Sequence, residues 1–166
     1  GRIYDTILPS FKNDYPEEMT FEISNLCNLE CVMCNGEFSN LIRKNVEKLP
    51  ELQNNYDDSF FENIQPFLPH LKRVRFMGGE PFLIKEYVSI MNFLVLHNPD
   101  CKIYFQTNGT ILNQTVKKII ESKNVEISIS VDSLQKEMYE RIRKNGNFDR
   151  VLENLNYFGN RAKLNH

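Results

Sequence analysis

The sequence has no apolar run long enough to cross a bilayer. Its longest mainly apolar stretch, Ile90 to Leu96, is interrupted by Asn92 and falls far short of the ~20 residues a spanning helix needs. It has no excess of one charge, because 20 Lys and Arg stand against 22 Asp and Glu for a formal net charge of −2. That balance leaves no electrostatic footprint for nucleic acid or an anionic membrane. Four cysteines in 166 residues are too few for a disulfide scaffold. The opening Gly1-Arg2-Ile3-Tyr4-Asp5 lacks the apolar core of a secretory signal, while a first residue other than Met leaves a processed start open. No low-complexity tract, long linker or repeat divides the chain. These absences argue against a membrane protein, a collagen, a coiled coil and a signal-bearing secreted chain. What is present, 41% hydrophobic and 25% charged residues, suits one soluble globular domain of ordinary size.

Three of the four cysteines, Cys27, Cys31 and Cys34, fall within eight residues, and Cys101 stands alone. Such clustering fits a reducing, cytoplasmic setting with a metal or redox site better than a disulfide framework. Cys101 opens a strand and reads as a buried apolar residue.

Residues 1–18 read as a surface leader and 19–166 as the folded unit. Alternating apolar residues predict strands over Met19–Ser24, Leu71–Met77, Cys101–Thr107 and Val125–Val131. Helical spacing predicts helices over Ser59–Leu68, Ile84–His97, Asn113–Ser122, Leu134–Arg143 and Phe148–Phe158, with Asn113 as an N-cap and Pro66 unsettling the end of the first. Asn35–Asp58 is the least regular stretch, an insertion with a short helix. Four strand–helix alternations predict an α/β fold with a parallel sheet and right-handed crossovers.

In such a sheet ligands gather at the carboxyl ends of the strands. The unusual motifs all fall at that edge: Cys27 after the first strand, Gly78-Gly79-Glu80-Pro81 after the second, Thr107-Asn108-Gly109 after the third, and Asp132-Ser133 after the fourth. The spacing Cys27-x3-Cys31-x2-Cys34 admits two readings. On a helix the three would share one face as small core side chains. On a loop, three thiolates can close around three irons of a cubane, or serve zinc, but a structural zinc site wants four ligands. No fourth Cys or His lies nearby in sequence, so an iron without a protein ligand would need a small molecule.

The ordered set of Cys-x3-Cys-x2-Cys, Gly78-Gly79-Glu80-Pro81 and Ser130-Val131-Asp132-Ser133, with Arg143 in the helix that follows, resembles the radical S-adenosylmethionine (SAM) enzymes. The resemblance runs from about Phe21 to Phe158. It implies a partial parallel (β/α) barrel, about four units of a (β/α)6 core. Cys27, Cys31 and Cys34 are then expected to hold a [4Fe–4S] cluster, and SAM to occupy its fourth iron. Reductive cleavage of SAM would give a 5′-deoxyadenosyl radical that abstracts hydrogen from a substrate.

By the same resemblance, Gly78 and Gly79 let backbone approach a ligand closely. Glu80 accepts hydrogen bonds from the SAM ammonium, and Pro81 fixes the chain entering the next helix. Met33 falls where the family often carries an aromatic residue and should lie near the adenine. Ser130 and Asp132 can serve the methionyl or ribose part of SAM, although Asp132 also suits an N-cap. Arg143 would reach the SAM carboxylate, and Thr107 and Asn108 lie at the edge where SAM or substrate sits. Fifth and sixth βα units, which a full core has, do not follow within 166 residues, so the core is expected to be cut before the fifth. The segments Cys27–Ser39 and Ser130–Leu155 are most similar to SPASM/twitch-type enzymes that modify peptides or proteins. That likeness implies a low-potential electron donor of flavodoxin or ferredoxin type. The alternatives are a small-molecule enzyme of cofactor biosynthesis and a non-catalytic iron–sulfur or zinc module.

Overall fold

In the computed structural model, residues 14–56, 59–122 and 124–164 are described; residues 1–13 of the expected leader lie outside them. Strand β1 (Glu18–Phe21) leads into a loop carrying the two-residue β2 (Glu30–Cys31), then helices α1 (Asn40–Asn45) and α2 (Phe60–Ile64). A 3-10 turn over Leu68–His70 precedes β3 (Arg73–Phe76), and a second over Pro81–Leu83 precedes α3 (Lys85–His97). β4 (Lys102–Thr107), α4 (Gln114–Ile120), β5 (Val125–Ile129), α5 (Lys136–Ile142), β6 (Arg143–Lys144) and α6 (Phe148–Leu164) complete the order.

β1, β3, β4 and β5 are all parallel and lie side by side in that order. Because each strand neighbours the next of the four along the chain, repeated right-handed crossovers carry every connecting helix to one face. This is the progression of a barrel arc; a doubly wound sheet would reverse its order. The expected α/β architecture is therefore present, as an open arc among the described residues.

The alternation read from the sequence separates two faces. Val74, Phe76, Ile103 and Phe105 are almost fully buried, packed in one cluster with Tyr87, Met91 and Leu94 of α3 and Ile119 of α4. Burying each such side chain contributes about 1.5–3 kcal/mol. Cys101 is in this core, as expected. Arg73, Arg75, Lys102 and Gln106 occupy the opposite, exposed face, where Glu18 pairs with both Arg73 (3.4 Å) and Arg75 (3.3 Å). A smaller core of Tyr139, Phe148 and Val151, with Val131 and Leu155 against it, ties α5 and α6 together.

Several boundaries differ from the sequence reading. The first predicted helix breaks into α2 and a 3-10 turn, because Pro66 has no N–H to continue the ladder. The fourth predicted helix starts at Lys136 rather than Leu134, since Ser133 Oγ accepts Gln135 N–H (3.0 Å) in a local turn. It ends at Ile142, so Arg143 is not helical; it begins β6, which pairs antiparallel with β2 in the register Cys31↔Arg143. Asn113 does cap α4, accepting Val116 N–H at 2.9 Å.

Candidate functional site

The cysteine segment follows β1 as an irregular loop rather than a helix, so the three cysteines do not share a helical face. All are half-buried and line one cavity of about 350 Å³ at the carboxyl ends of β3 and β4. The loop is braced from several sides. Cys27 N–H donates to Asn40 Oδ1 (2.9 Å), and Asn40 N–H donates to the Asn25 carbonyl (2.8 Å). Ser39, buried at the start of α1, caps Ile42 N–H (3.3 Å) and donates its hydroxyl to the Leu29 carbonyl (2.7 Å). The irregular insertion thus clamps the cysteine loop.

The Gly78-Gly79 turn packs on the same loop. Gly79 N–H donates to the Ser24 carbonyl (3.0 Å) and Glu80 N–H to the Leu26 carbonyl (2.8 Å), prolonging the β1–β3 contact beyond the strands. A Cβ on Gly79 would lie 2.2 Å from the Leu26 oxygen, and one on Gly78, whose φ is +96°, 2.7 Å from the Ser24 oxygen. The close approach these glycines permit is between two loops of the chain, although both also line the cavity. Tyr87 of α3 bolts this junction. It accepts Ile23 N–H (2.9 Å) and donates to the Met77 carbonyl (3.0 Å).

Glu80 is 2% exposed. Its Oε1 accepts the Thr107 hydroxyl (2.6 Å) and, weakly, Phe82 N–H (3.5 Å), and its Oε2 accepts Asn108 N–H (2.8 Å). Burial pushes its carboxyl up to about 6 against the lowering effect of those donors. Pro81 is buried at the first position of the 3-10 turn and does not line the cavity.

Arg143 reaches the cavity through the β2–β6 ribbon. Its Nε pairs with Asp132 Oδ2 (2.6 Å) and its Nη1 donates to Cys31 Sγ (3.7 Å). Asp132 therefore neither caps a helix nor lines the cavity; it orients Arg143. Two residues per strand carry no sequence signature, which is why this ribbon was not foreseen. Tyr139, 0% exposed, has a hydroxyl without a partner among the described residues; burial raises its pKa, while Arg143 opposes the rise.

Ser130, Met33, Thr107 and Asn108 line the cavity, together with Phe38, Met77 and Gln106, which the sequence reading did not single out. Gln106 Nε2 donates to Ser130 Oγ at 2.8 Å. The outward parity of Gln106 on β4, opposite Phe105, was the available signal.

Burial pushes the Cys27 thiol up to about 11 and raises Cys31 too, with Arg143 as the main opposing influence on Cys31. Thiols so placed give up their protons to strongly cationic partners, as metal coordination provides. Among the described residues no three His, Cys, Asp or Glu side chains converge enough to hold a single metal ion. Three half-buried thiols line one cavity, with no fourth Cys and no His among the described residues that line it, a donor set that suits a cluster held through three irons.

Comparison with known proteins agrees. The chain is 28% identical over 146 residues to the GTP 3′,8-cyclase of Aliarcobacter butzleri, covering 87% of this chain and 42% of that protein. It is 30% identical over 150 residues to the mycofactocin maturase MftC of Mycolicibacterium smegmatis, covering 88% and 36% respectively. The chain thus spans less than half the length of these relatives. In fold it is similar to Streptococcus suis SuiB bound to S-adenosylmethionine, with a TM-score of 0.64 at 17% identity over 89% of this chain and 32% of that one. It is equally similar to native anSMEcpe with bound AdoMet, with a TM-score of 0.64 at 21% identity over 87% and 41%. The family model of the radical SAM superfamily matches residues 21–163. With that match, and with the three cysteines opening on one cavity at the sheet edge, the chain belongs to the radical SAM superfamily, whose enzymes work with a [4Fe–4S] cluster and S-adenosylmethionine.

Proposed function

We propose that this chain is the SAM-cleaving part of an enzyme that modifies a peptide or protein. The observation that carries the reading is the meeting of Cys27, Cys31 and Cys34 with Glu80, Ser130 and Arg143 around one cavity. When bound, the two cofactors supply reductive cleavage of the sulfonium and a 5′-deoxyadenosyl radical for hydrogen abstraction.

In this reading Cys27, Cys31 and Cys34 hold three irons. A carboxylate offers about four acceptor sites, and the chain uses three of Glu80's, so it retains capacity for the SAM ammonium. Arg143, kept in place by Asp132, answers the SAM carboxylate, and Ser130 the methionyl or ribose hydroxyls. The Gly78-Gly79 backbone and Thr107 flank the same space, and Met33 meets the adenine. Asn108 borders SAM or substrate, and Pro81 fixes the turn behind Glu80. A low-potential flavodoxin or ferredoxin supplies the electron.

A maturase relative supports a peptide substrate. The GTP 3′,8-cyclase relatives favour a second reading, a small-molecule substrate. Anaerobic reconstitution with iron and sulfide, followed by reduction with dithionite and SAM, tests the shared core: cubane absorption and released 5′-deoxyadenosine are expected. Bound zinc without SAM cleavage would overturn it. Stimulation of 5′-deoxyadenosine release by peptides but not by GTP separates the two substrate classes.

A further inference from the structure

Asn108 sits at a place where its amide can point only one way. Its Nδ2 donates to Asn28 Oδ1 (2.9 Å) and also to Cys27 Sγ (3.9 Å). Its Oδ1 accepts both the Thr110 N–H (3.0 Å) and the Thr110 hydroxyl (2.6 Å). Asn28 Nδ2 then donates to Thr110 Oγ1 at 2.9 Å. The three side chains therefore close a ring in which each donates to the next: Asn108 to Asn28, Asn28 to Thr110, and Thr110 to Asn108. Reversing the Asn108 amide would set its oxygen against the Asn28 oxygen and the sulfur, and its NH2 against the Thr110 N–H. The ring thus fixes the amide with its donor toward the sulfur.

The rest of the loop holds the ring in place. Asn108 is 7% exposed, its own N–H is anchored on Glu80 Oε2, and the following Gly109 has the φ of +73° that lets the chain turn back to Thr110. Asn28 is the residue directly after Cys27, so the ring also fastens the ligand loop to the β4 exit, about 80 residues away in sequence.

We propose that Asn108 is a positioning residue for the cluster, its amide locked by Asn28 and Thr110 so that one N–H is held on the Cys27 sulfur and raises the cluster's reduction potential. The inference rests on the cofactor reading above. Reduction places more negative charge on the cluster sulfurs, so a fixed donor favours the reduced state.

A dye-mediated redox titration of the reconstituted protein, followed by electron paramagnetic resonance, reads this directly. Asn108→Asp, which turns an acceptor toward the sulfur, is expected to shift the midpoint furthest negative, with Asn108→Ala next. Thr110→Val, which opens the ring while leaving Asn108 intact, is expected to shift it less in the same direction. Thr110→Ser restores the hydroxyl and should return the wild-type midpoint. If Asn108→Asp fails to take up iron, Asn108→Ala and the Thr110 pair still decide the matter. Full iron content with an unchanged midpoint in Asn108→Ala and Thr110→Val overturns this inference alone. A wild-type protein that takes up no cubane overturns both it and the reading beneath it.

Discussion

Cys27 and Cys31 each meet one side-chain nitrogen donor, but the two flanks of the site are built from different materials. Beside Cys27 the donor is a neutral amide inside a ring of Asn and Thr side chains, set between loops at the ends of two strands of the main sheet. Beside Cys31 it is the Arg143 guanidinium, carried by a two-residue ribbon and held by Asp132. The neutral flank is directional and rigid, with every amide atom of Asn108 engaged. The charged flank is strong but rests on one ion pair, with the Asp132 side chain 31% exposed. Neutral networks fix geometry; an ion pair near solvent supplies charge and yields more readily to salt and pH.

Four measurements would sharpen or break this contrast. The largest effect is expected from Cys31→Ala or Cys27→Ala, either of which should abolish cubane assembly as read by iron content and visible absorption. Full iron retention in either would remove the basis for comparing the flanks at all. Next, Arg143→Ala should lower stability in chemical denaturation by about 2–3 kcal/mol, somewhat less than breaking a fully buried pair costs, because Asp132 keeps some access to water. A smaller loss than from disrupting the neutral ring would reverse the ranking of the two flanks.

Glu80, which anchors the neutral flank, gives a pH signature. Its carboxyl moves from 4.5 to about 6 on burial, so between these values the folded chain holds the proton more tightly than the unfolded one. Glu80 therefore contributes about 2 kcal/mol below pH 4.5 that is lost as the pH rises through 6. Glu80→Gln should flatten the stability profile across that window relative to wild type, whereas Arg143→Ala should leave that part of the slope in place. The smallest effect is expected from Thr110→Val, about 1 kcal/mol from the broken ring.

How much could be read beforehand depended on how local each feature is. The four strands were legible because apolar and polar residues alternate along them, and one face of the sheet is packed while the other is charged. The helix cap at Asn113 follows from its own few residues. The cysteines, Gly78-Gly79, Glu80, Thr107, Asn108 and Ser130 were legible because they lie at the ends of parallel strands or on the segments that leave them, and parallel strands bring those ends together. Arg143 was expected in a helix but lies in β6, since a helical pattern runs into it and the ribbon that claims it leaves no periodicity. Asn28 and Thr110 were overlooked because an Asn or Thr in a loop is an ordinary turn residue until its partner from another loop is seen, and Gln106 because an outward polar residue on a strand reads as solvated.

The sequence by itself determined the chemistry at hand: which thiols, carboxylate and guanidinium exist, and that the thiols and the carboxylate follow strands whose ends share one edge of a parallel sheet. That much follows from short-range periodicity and from the direction every parallel strand must share. Only the tertiary structure decided which way each group faces. It gave Glu80 to the β4 exit loop, the space beside the glycines to the cysteine loop, Asp132 to Arg143 and the Asn108 amide to Cys27. Those pairings join residues far apart in the chain, and hydrogen bonds depend on ångström-scale distance and direction that no local pattern encodes.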